Sequence, residues 1–400
     1  MKKIAVVGVG SAGIVCISHL LAWLKGSEWQ VTSIHNPKKN ILGIGESTNP
    51  SFTNNLEYGL NFDYNTDLTP LNGTIKFGSK FVGWRDHEFI NPLMGGAVAI
   101  HFDSSKLQSF AFDRFNNQWK NKFNELIGDV SEIKSDSTCA TITVDGINHE
   151  FDFVVDCSGF PKSYEEYEII HPETVNRCLV HNIDEDNEST NQWNYTLHKA
   201  TPDGWMFGVP LTHRKSYGYL FNDNITDVDD AKKNFANTIN VPEDKLDDIE
   251  YKFKSYRAKK LIDGRIIKNG NAACFFEPLS ANSLFIYDTI NKLIIDYIED
   301  GDLSKADECN YNFYGVSNQV ITMIHFFYKG GSTYKTDFWN ITSKKSEKFI
   351  ETDSTFIEIQ KHLTKMNSDR HYYPIVSIFN SKNFILLDSD SHFGYNTFKK

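Results

Sequence analysis

Apolar residues run almost unbroken from Ile4 to Val9, recur with helical spacing from Ser11 to Leu24, and return as a short run from Trp29 to Ile34. Short apolar runs bounded by turn residues predict buried strands, and a 3.6-residue period predicts a helix, so the chain opens as strand, helix, strand. Residues Asp103 to Leu126 predict a helix, followed by strands near Ala140–Val144 and Phe151–Asp156, the second leading into a glycine. Between Glu165 and Tyr256 aromatic and polar residues alternate, as in Gly218-Tyr219-Leu220-Phe221, which predicts an antiparallel sheet. Helical patterns resume over Pro278–Ile298 and Ala306–Phe327. Parallel sheet, antiparallel sheet and late helices together predict an α/β or α+β chain with two lobes. No repeat or Pro/Gly/Ser-rich linker separates them, so the lobes are expected to interleave.

Composition narrows this picture. A chain of 400 residues exceeds the size at which one core usually stops growing, in keeping with two modules. Hydrophobic residues at 40%, charged residues at 23% and aromatics at 14% describe a globular chain whose aromatics suit a core or a pocket for a flat ligand. A net charge of -11 argues against a broad nucleic-acid or anionic-membrane surface, which would need clustered Lys and Arg. The cysteines Cys16, Cys139, Cys157, Cys178, Cys274 and Cys309 are scattered without zinc-ligand spacing and read as reduced cytoplasmic thiols. Lys2 and Lys3 before the apolar opening imitate a signal peptide, but Gly8, Gly10, Gly13 and His19 within the run fit a strand, turn and helix better. No membrane span is expected. Asp86-His87-Glu88 and the acids Asp223, Asp227, Asp229 and Asp230 read as solvated charge, so no metal site is expected.

Candidate chemistry begins at the first turn. Gly8-Val9-Gly10-Ser11-Ala12-Gly13 fits the dinucleotide fingerprint, placed after a strand and at the start of a helix. Gly8 permits the tight turn, Gly10 lets the backbone approach a pyrophosphate, and Gly13 lets helix and strand pack closely. The second strand should end in an acid for the adenosine ribose, but His35 stands there. Its ring nitrogens suit a ribose hydroxyl, and a loop histidine facing solvent is the other reading.

Further along, several segments in order resemble the flavin-dependent tryptophan halogenase family, in particular its short bacterial or phage-type members. Gly43-Ile44-Gly45-Glu46-Ser47-Thr48-Asn49-Pro50 is similar to the family's G-V-G-E-A-T-x-P loop over the flavin ring. Asn72-Gly73, then Lys80-Phe81 and Trp84-Arg85, resembles the block carrying the essential lysine. Asp156-Cys157-Ser158-Gly159-Phe160 resembles the D-x-S-G-F flavin motif. Gly204-Trp205-Met206-Phe207-Gly208-Val209-Pro210 is similar to G-W-x-W-x-I-P, with Phe207 in the second tryptophan position. Ala272-Ala273-Cys274-Phe275-Phe276-Glu277-Pro278-Leu279 resembles A-A-G-F-V-E-P-L, and Asp337-Phe338-Trp339 echoes the D-x-P-F-W tail.

The resemblance implies a Rossmann-like FAD-binding module of the single-component flavin monooxygenase type, α/β in class, with an interleaved mixed α+β substrate module. Its parts would be 1–164 and 261–300 for FAD, 165–260 for an antiparallel-sheet substrate module, and 301–400 for a helical substrate-side module. It implies FAD, used as FADH2 with O2 and a halide ion, a separate flavin reductase as partner, and a small aromatic substrate of indole or phenol type. Gly8, Gly10, Ser11, Ala12, Gly13, His35, Gly45, Glu46, Ser47, Ser158 and Gly159 would hold the cofactor. Lys80 would receive hypohalous acid and deliver halogen, while Trp84, Trp205, Phe207, Pro210, Glu277, Pro278 and Trp339 would line tunnel or substrate. Lys76, four residues earlier, is the alternative amine, and a continuous strand would leave both lysines on one face.

The family continues from E-P-L into E-S-T-G, whereas this chain has Ser280-Ala281-Asn282-Ser283. Ser280, in the catalytic glutamate's position, cannot act as a carboxylate base, but backbone N–H groups at Asn282 and Ser283 can still meet a halide. An electron-rich aromatic in a more open pocket, and bromide or iodide rather than chloride, follow as expectations. An aromatic hydroxylase and a catalytically inactive flavoprotein stay open as alternatives, as does a homo-oligomer.

Overall fold

A computed structural model describes residues 2–39, 46–93, 97–184, 193–358 and 361. The chain divides into two units, Met1–Lys76 with Ala97–Ile169 and Ser255–Tyr314, and Phe77–Gly96 with Ile170–Lys254 and Gly315–Lys400.

The first unit is built on a six-stranded sheet in the order Ile262–Asp263, Ile266–Lys268, Phe153–Asp156, Lys2–Val7, Trp29–His35, Phe123–Ile127. All its pairings are parallel except that of the first two strands. The expected opening forms: Lys2–Val7, helix α1 (Ser11–Trp23) and Trp29–His35 make a right-order βαβ unit, with Ile4 level with Val31 and Phe153. Ile4, Ala5 and Val6 are fully buried because a parallel strand is covered on both faces. α1 buries a nearly continuous stretch from Gly13 to Leu21, and its neighbours include helices α2 (Pro50–Leu60), α3 (Ser104–Gln118) and α5 (Asn282–Asp300).

One expectation fails here. The helix expected to run from Asp103 to Leu126 stops at Gln118, and Phe123–Ile127 becomes the edge strand beside Trp29–His35. Phe115 and Phe123 both face the interior, so their spacing imitates a continued helical face, but a turn through Trp119 and Lys122 separates two elements.

Two small sheets matter for the site. Glu46–Ser47 and Thr74–Lys76 pair on either side of Ala99–Phe102. Tyr167–Ile169, Tyr256–Ala258 and Cys274–Phe275 form another.

The second unit is a seven-stranded sheet in the order Ile249–Lys252, Arg177–Asp184, Arg214–Phe221, Gly204–Pro210, Tyr195–Thr201, Gly78–Val82, Phe89–Pro92. It is antiparallel except where Tyr195–Thr201 meets Gly78–Val82. Helix α4 (Val228–Ile239) packs Ala231 and Phe235 on Leu179, Met206, Tyr219 and Phe221. On this unit's other apolar cluster, Phe81 stacks on Phe327 of helix α6 (Ala306–Lys329), and Trp84 meets Trp339 of helix α7 (Asp337–Thr352). Strands Gly78–Val82 and Phe89–Pro92, expected inside the first module, pair instead into this sheet, and the division falls within α6 rather than at residue 301.

Candidate active site

In the first unit the three fingerprint glycines are used differently. Gly8 has φ 94°, and a Cβ there would stand 2.4 Å from the Cys157 carbonyl oxygen. A Cβ at Gly13 would stand 2.0 Å from the Gly8 carbonyl oxygen. Gly10 has nothing within 4 Å of that position, so the turn is packed behind and open in front. Gly10 also caps α1 without a side-chain hydrogen bond, and no acid occupies the first turn. The first N–H groups of α1 therefore have no acceptor from a side-chain cap, an arrangement whose chemistry suits an anion such as a pyrophosphate.

Other candidate residues converge on this turn. Ser11 Oγ donates to Glu46 Oε1 at 3.4 Å, and burial pushes the Glu46 carboxyl up to about 7, the Ser11 bond opposing. Cys157 N donates to Val7 O at 2.8 Å, bringing Ser158 and Gly159 (φ 104°) to the same edge, where Ser158 is exposed. The Ala12 Cβ lies 2.6 Å from where a Gly270 Cβ would be. Tyr287 of α5 is buried within electrostatic reach of Glu46 and Cys157, and its hydroxyl donates to Asn271 Oδ1 at 2.6 Å. Sequence reading missed Tyr287. Gly45 lies outside the described residues.

His35 is not the solvent-facing loop histidine of the second reading, and its Nδ1 is buried without a hydrogen-bond partner among the described residues. Its ring is buried, with Nε2 at 3.4 Å from Gln108 Nε2 and 3.5 Å from Glu125 Oε1, and its edge on the Phe112 ring. Burial lowers its pKa, the Glu125 charge opposing. The ring turns inward because His35 extends the strand beside Phe123–Ile127 rather than starting the loop.

The two lysines separate. The strand Thr74–Lys76 ends at Lys76, and Phe77 leads into Gly78–Val82 of the other sheet. Lys80 is about one-third exposed, and its Nζ pairs with Glu88 Oε2 at 2.6 Å. Lys76 is 3% exposed, and its Nζ donates to Ser47 Oγ at 2.8 Å and to the Thr48 carbonyl at 2.7 Å. Burial alone brings its pKa down to about 7. His101, on the central strand level with Ser47 and Thr74, bonds Thr74 Oγ1 at 3.0 Å. Burial and then the Lys76 charge hold its pKa well below the usual range. Among the described residues Lys76 pairs with no carboxylate and is desolvated, the setting expected for Lys80, whose amine is tied to an exposed acid.

At the start of α5, Ser280 (φ 64°) and Ala281 (φ 55°) are both left-handed, and α5 begins without a side-chain cap or an acid in its first turn. The Asn282 amide is committed to the loop, donating to Glu277 O at 2.9 Å and Leu279 O at 3.0 Å. Asn282 is therefore a brace by side chain, leaving the backbone as its means of meeting an anion. Glu277 is fully buried.

In the second unit, the expected lining tryptophans are core. Trp84, Trp205 and Trp339 are at most 2% exposed. Trp84 Nε1 donates to His198 O at 3.1 Å and Trp339 Nε1 to Thr201 O at 2.7 Å, so two indoles are satisfied by backbone. Phe207 covers Gly218, where any Cβ would strike its ring at 2.1 Å, and Pro210 ends the same strand, buried. Trp84 packs against Trp205, Phe327, Tyr328 and Trp339, so these rings form one aromatic cluster of the core.

A family model described as tryptophan halogenase matches residues 3–139 and 91–386. The chain belongs to the tryptophan halogenase family. A tryptophan halogenase from Shewanella frigidimarina has the same fold, with a TM-score of 0.84 at 18% identity over 98% of this chain and 89% of that one. A flavin-dependent halogenase from Brevundimonas sp. BAL3 gives 0.79 at 16% identity over 98% and 90%. Among curated relatives, a tryptophan 7-halogenase of Kutzneria sp. (strain 744) is 24% identical over 151 residues, which span 36% of this chain and 28% of that relative. Among the described residues of this tryptophan halogenase family member, no helix is long and apolar enough to cross a membrane, and no group of three His, Cys, Asp or Glu is placed to hold a metal.

Proposed function

We propose that this chain is an FADH2-dependent halogenase acting on an electron-rich aromatic, with Lys76 rather than Lys80 as its halogen-handling amine. The observation that carries this is the burial of Lys76 with two neutral acceptors and a pKa near 7, beside the Glu46–Thr48 segment of the flavin loop. When bound, reduced FAD with O2 and halide supplies hypohalous acid. The α1 N-terminus and Gly10 would hold the pyrophosphate, and Ser11, Glu46, Ser158 and Gly159 lie where they can border the cofactor. Backbone N–H groups of Asn282 and Ser283, at an uncapped helix start, suit a halide. A neutral Lys76 amine has a lone pair to accept halogen, and in its ammonium form it can donate to the acid's oxygen.

Ser280 brings no carboxylate to assist proton loss, which favours substrates that lose a proton readily after halogen attack, such as phenols and activated indoles. Bromide and iodide are more easily oxidised than chloride, so the heavier halides are proposed as the preferred ones. A separate flavin reductase is the proposed source of FADH2, as the family resemblance implies.

The test is mass spectrometry of products from phenol and indole panels incubated with FAD, flavin reductase, NADH, catalase and each halide. Halogenated product, most from bromide or iodide, is expected. Hydroxylated product in place of it would convert the assignment to a monooxygenase, and chloride preferred in direct competition would remove the heavier-halide reading.

A further inference from the structure

We propose that Ser47 is a positioning residue for Lys76: its hydroxyl oxygen and the Thr48 carbonyl take two N–H groups of the amine and aim the remaining tetrahedral position of nitrogen. This rests on Lys76 being the halogen-accepting amine.

Lys76 reaches from one edge strand of its three-stranded sheet, across Ala99–Phe102, to the other edge. There Nζ meets Ser47 Oγ at 2.8 Å and Thr48 O at 2.7 Å. A carbonyl can only accept, so one N–H is committed to Thr48 in either protonation state. Thr48 is itself fixed: its N–H and Oγ1 donate to Ile100 O at 3.1 and 2.7 Å, and Ile100 N donates to Thr48 Oγ1 at 3.0 Å. Ser47 stands level with His101 in the ladder.

A neutral amine nitrogen carries Cε, two hydrogens and one lone pair. With both hydrogens directed to Ser47 and Thr48, the lone pair has a single direction. Halogen transfer from hypohalous acid then forms the N–X bond with that pair as the O–X bond breaks. The departing hydroxide takes one N–H proton and leaves as water. With Thr48 alone as acceptor the amine would rotate about its remaining bond and the lone pair would lose that direction.

Ser47 also biases protonation, since an acceptor stabilises ammonium more than amine. The titratable group facing Lys76 from the central strand is His101, and Glu46 alternates to the opposite side of its strand.

The experiment is a pH titration of the full-length protein labelled with 13Cε-lysine, the Lys76 signal being assigned from Lys76→Met. In Ser47→Ala the Lys76 midpoint is expected about one pH unit lower, the difference between a charged and a neutral hydrogen bond. Ser47→Thr restores it to within roughly 0.3 units of the parent. The other lysine signals report whether each variant is folded. A Ser47→Ala midpoint equal to or above the parent's, in a folded protein, overturns the role of Ser47 alone. A parent Lys76 titrating near an ordinary lysine overturns the neutral-amine reading itself.

Discussion

Lys76 and Lys80 end in separate sheets, the first buried against Ser47 and Thr48 and the second paired at the surface with Glu88. The crossing takes place at Phe77, whose N–H donates to Asn194 O and whose carbonyl accepts from Leu93 N. Gly78 follows because a Cβ there would stand 2.5 Å from Asn91 O. Two side chains of one type are thereby given different surroundings: one loses its water, and the other keeps water and a counter-charge.

The fingerprint glycines should divide in the same manner. Gly13→Ala places Cβ against the Gly8 carbonyl and is expected to prevent folding or cost several kcal/mol, in the range of overpacking and more. Gly10→Ala meets nothing in the protein and should melt close to the parent. It should bind FAD roughly tenfold more weakly, about 1.4 kcal/mol, if the pyrophosphate approaches there. Flavin fluorescence titration beside thermal melting checks both.

The βαβ opening was legible because buried parallel strands and a glycine turn leave local signals. The crossing at Phe77 was not, since alternation continues through Thr74–Val82 and nothing local says that the partner strands change. Burial of Trp205 was equally hidden: a tryptophan that lines a cavity and one that fills a core have the same sequence. The inward turn of His35 has no local signal, because the edge strand Phe123–Ile127 that encloses it carries the spacing of a continued helical face. Ser280 and Ala281 share the left-handed region, which their residue types do not signal.

Trp205 acts as core, and its loss should therefore appear in stability. Trp205→Ala is expected to cost about 3–5 kcal/mol, as for other large-to-small changes at full burial. Trp205→Phe should recover most of it. Urea unfolding with unchanged slope checks this, and a Trp205→Ala variant as stable as the parent would show the ring lining open space.

The Lys76 amine gives a signed pH dependence. Its pKa is about 7 in the folded chain, against about 10.4 unfolded. Between those values the unfolded chain holds a proton that the folded chain lacks, so stability rises with pH, and below about 7 the full cost of a buried ammonium applies. Lys76→Met should therefore melt at or above the parent at pH 6. Conversion of reduced flavin to halogenated product should rise with pH through about 7 and then level, because the neutral amine is required. A fall through the same range would mean that the ammonium is the working form.

Lys80→Ala removes an exposed ion pair of the kind worth at most about 1 kcal/mol, so its folding should barely change. That makes the paired comparison of Lys80→Ala with Lys76→Ala the most direct test of the site. Halogenated product is measured by mass spectrometry with matched reduced flavin, halide and phenol, in the presence of catalase. The expected result is product within about threefold of the parent for Lys80→Ala and a loss of roughly a hundredfold or more for Lys76→Ala, in line with removal of a group acting at the reacting atoms. Product retained by Lys76→Ala and abolished in folded Lys80→Ala would contradict the assignment.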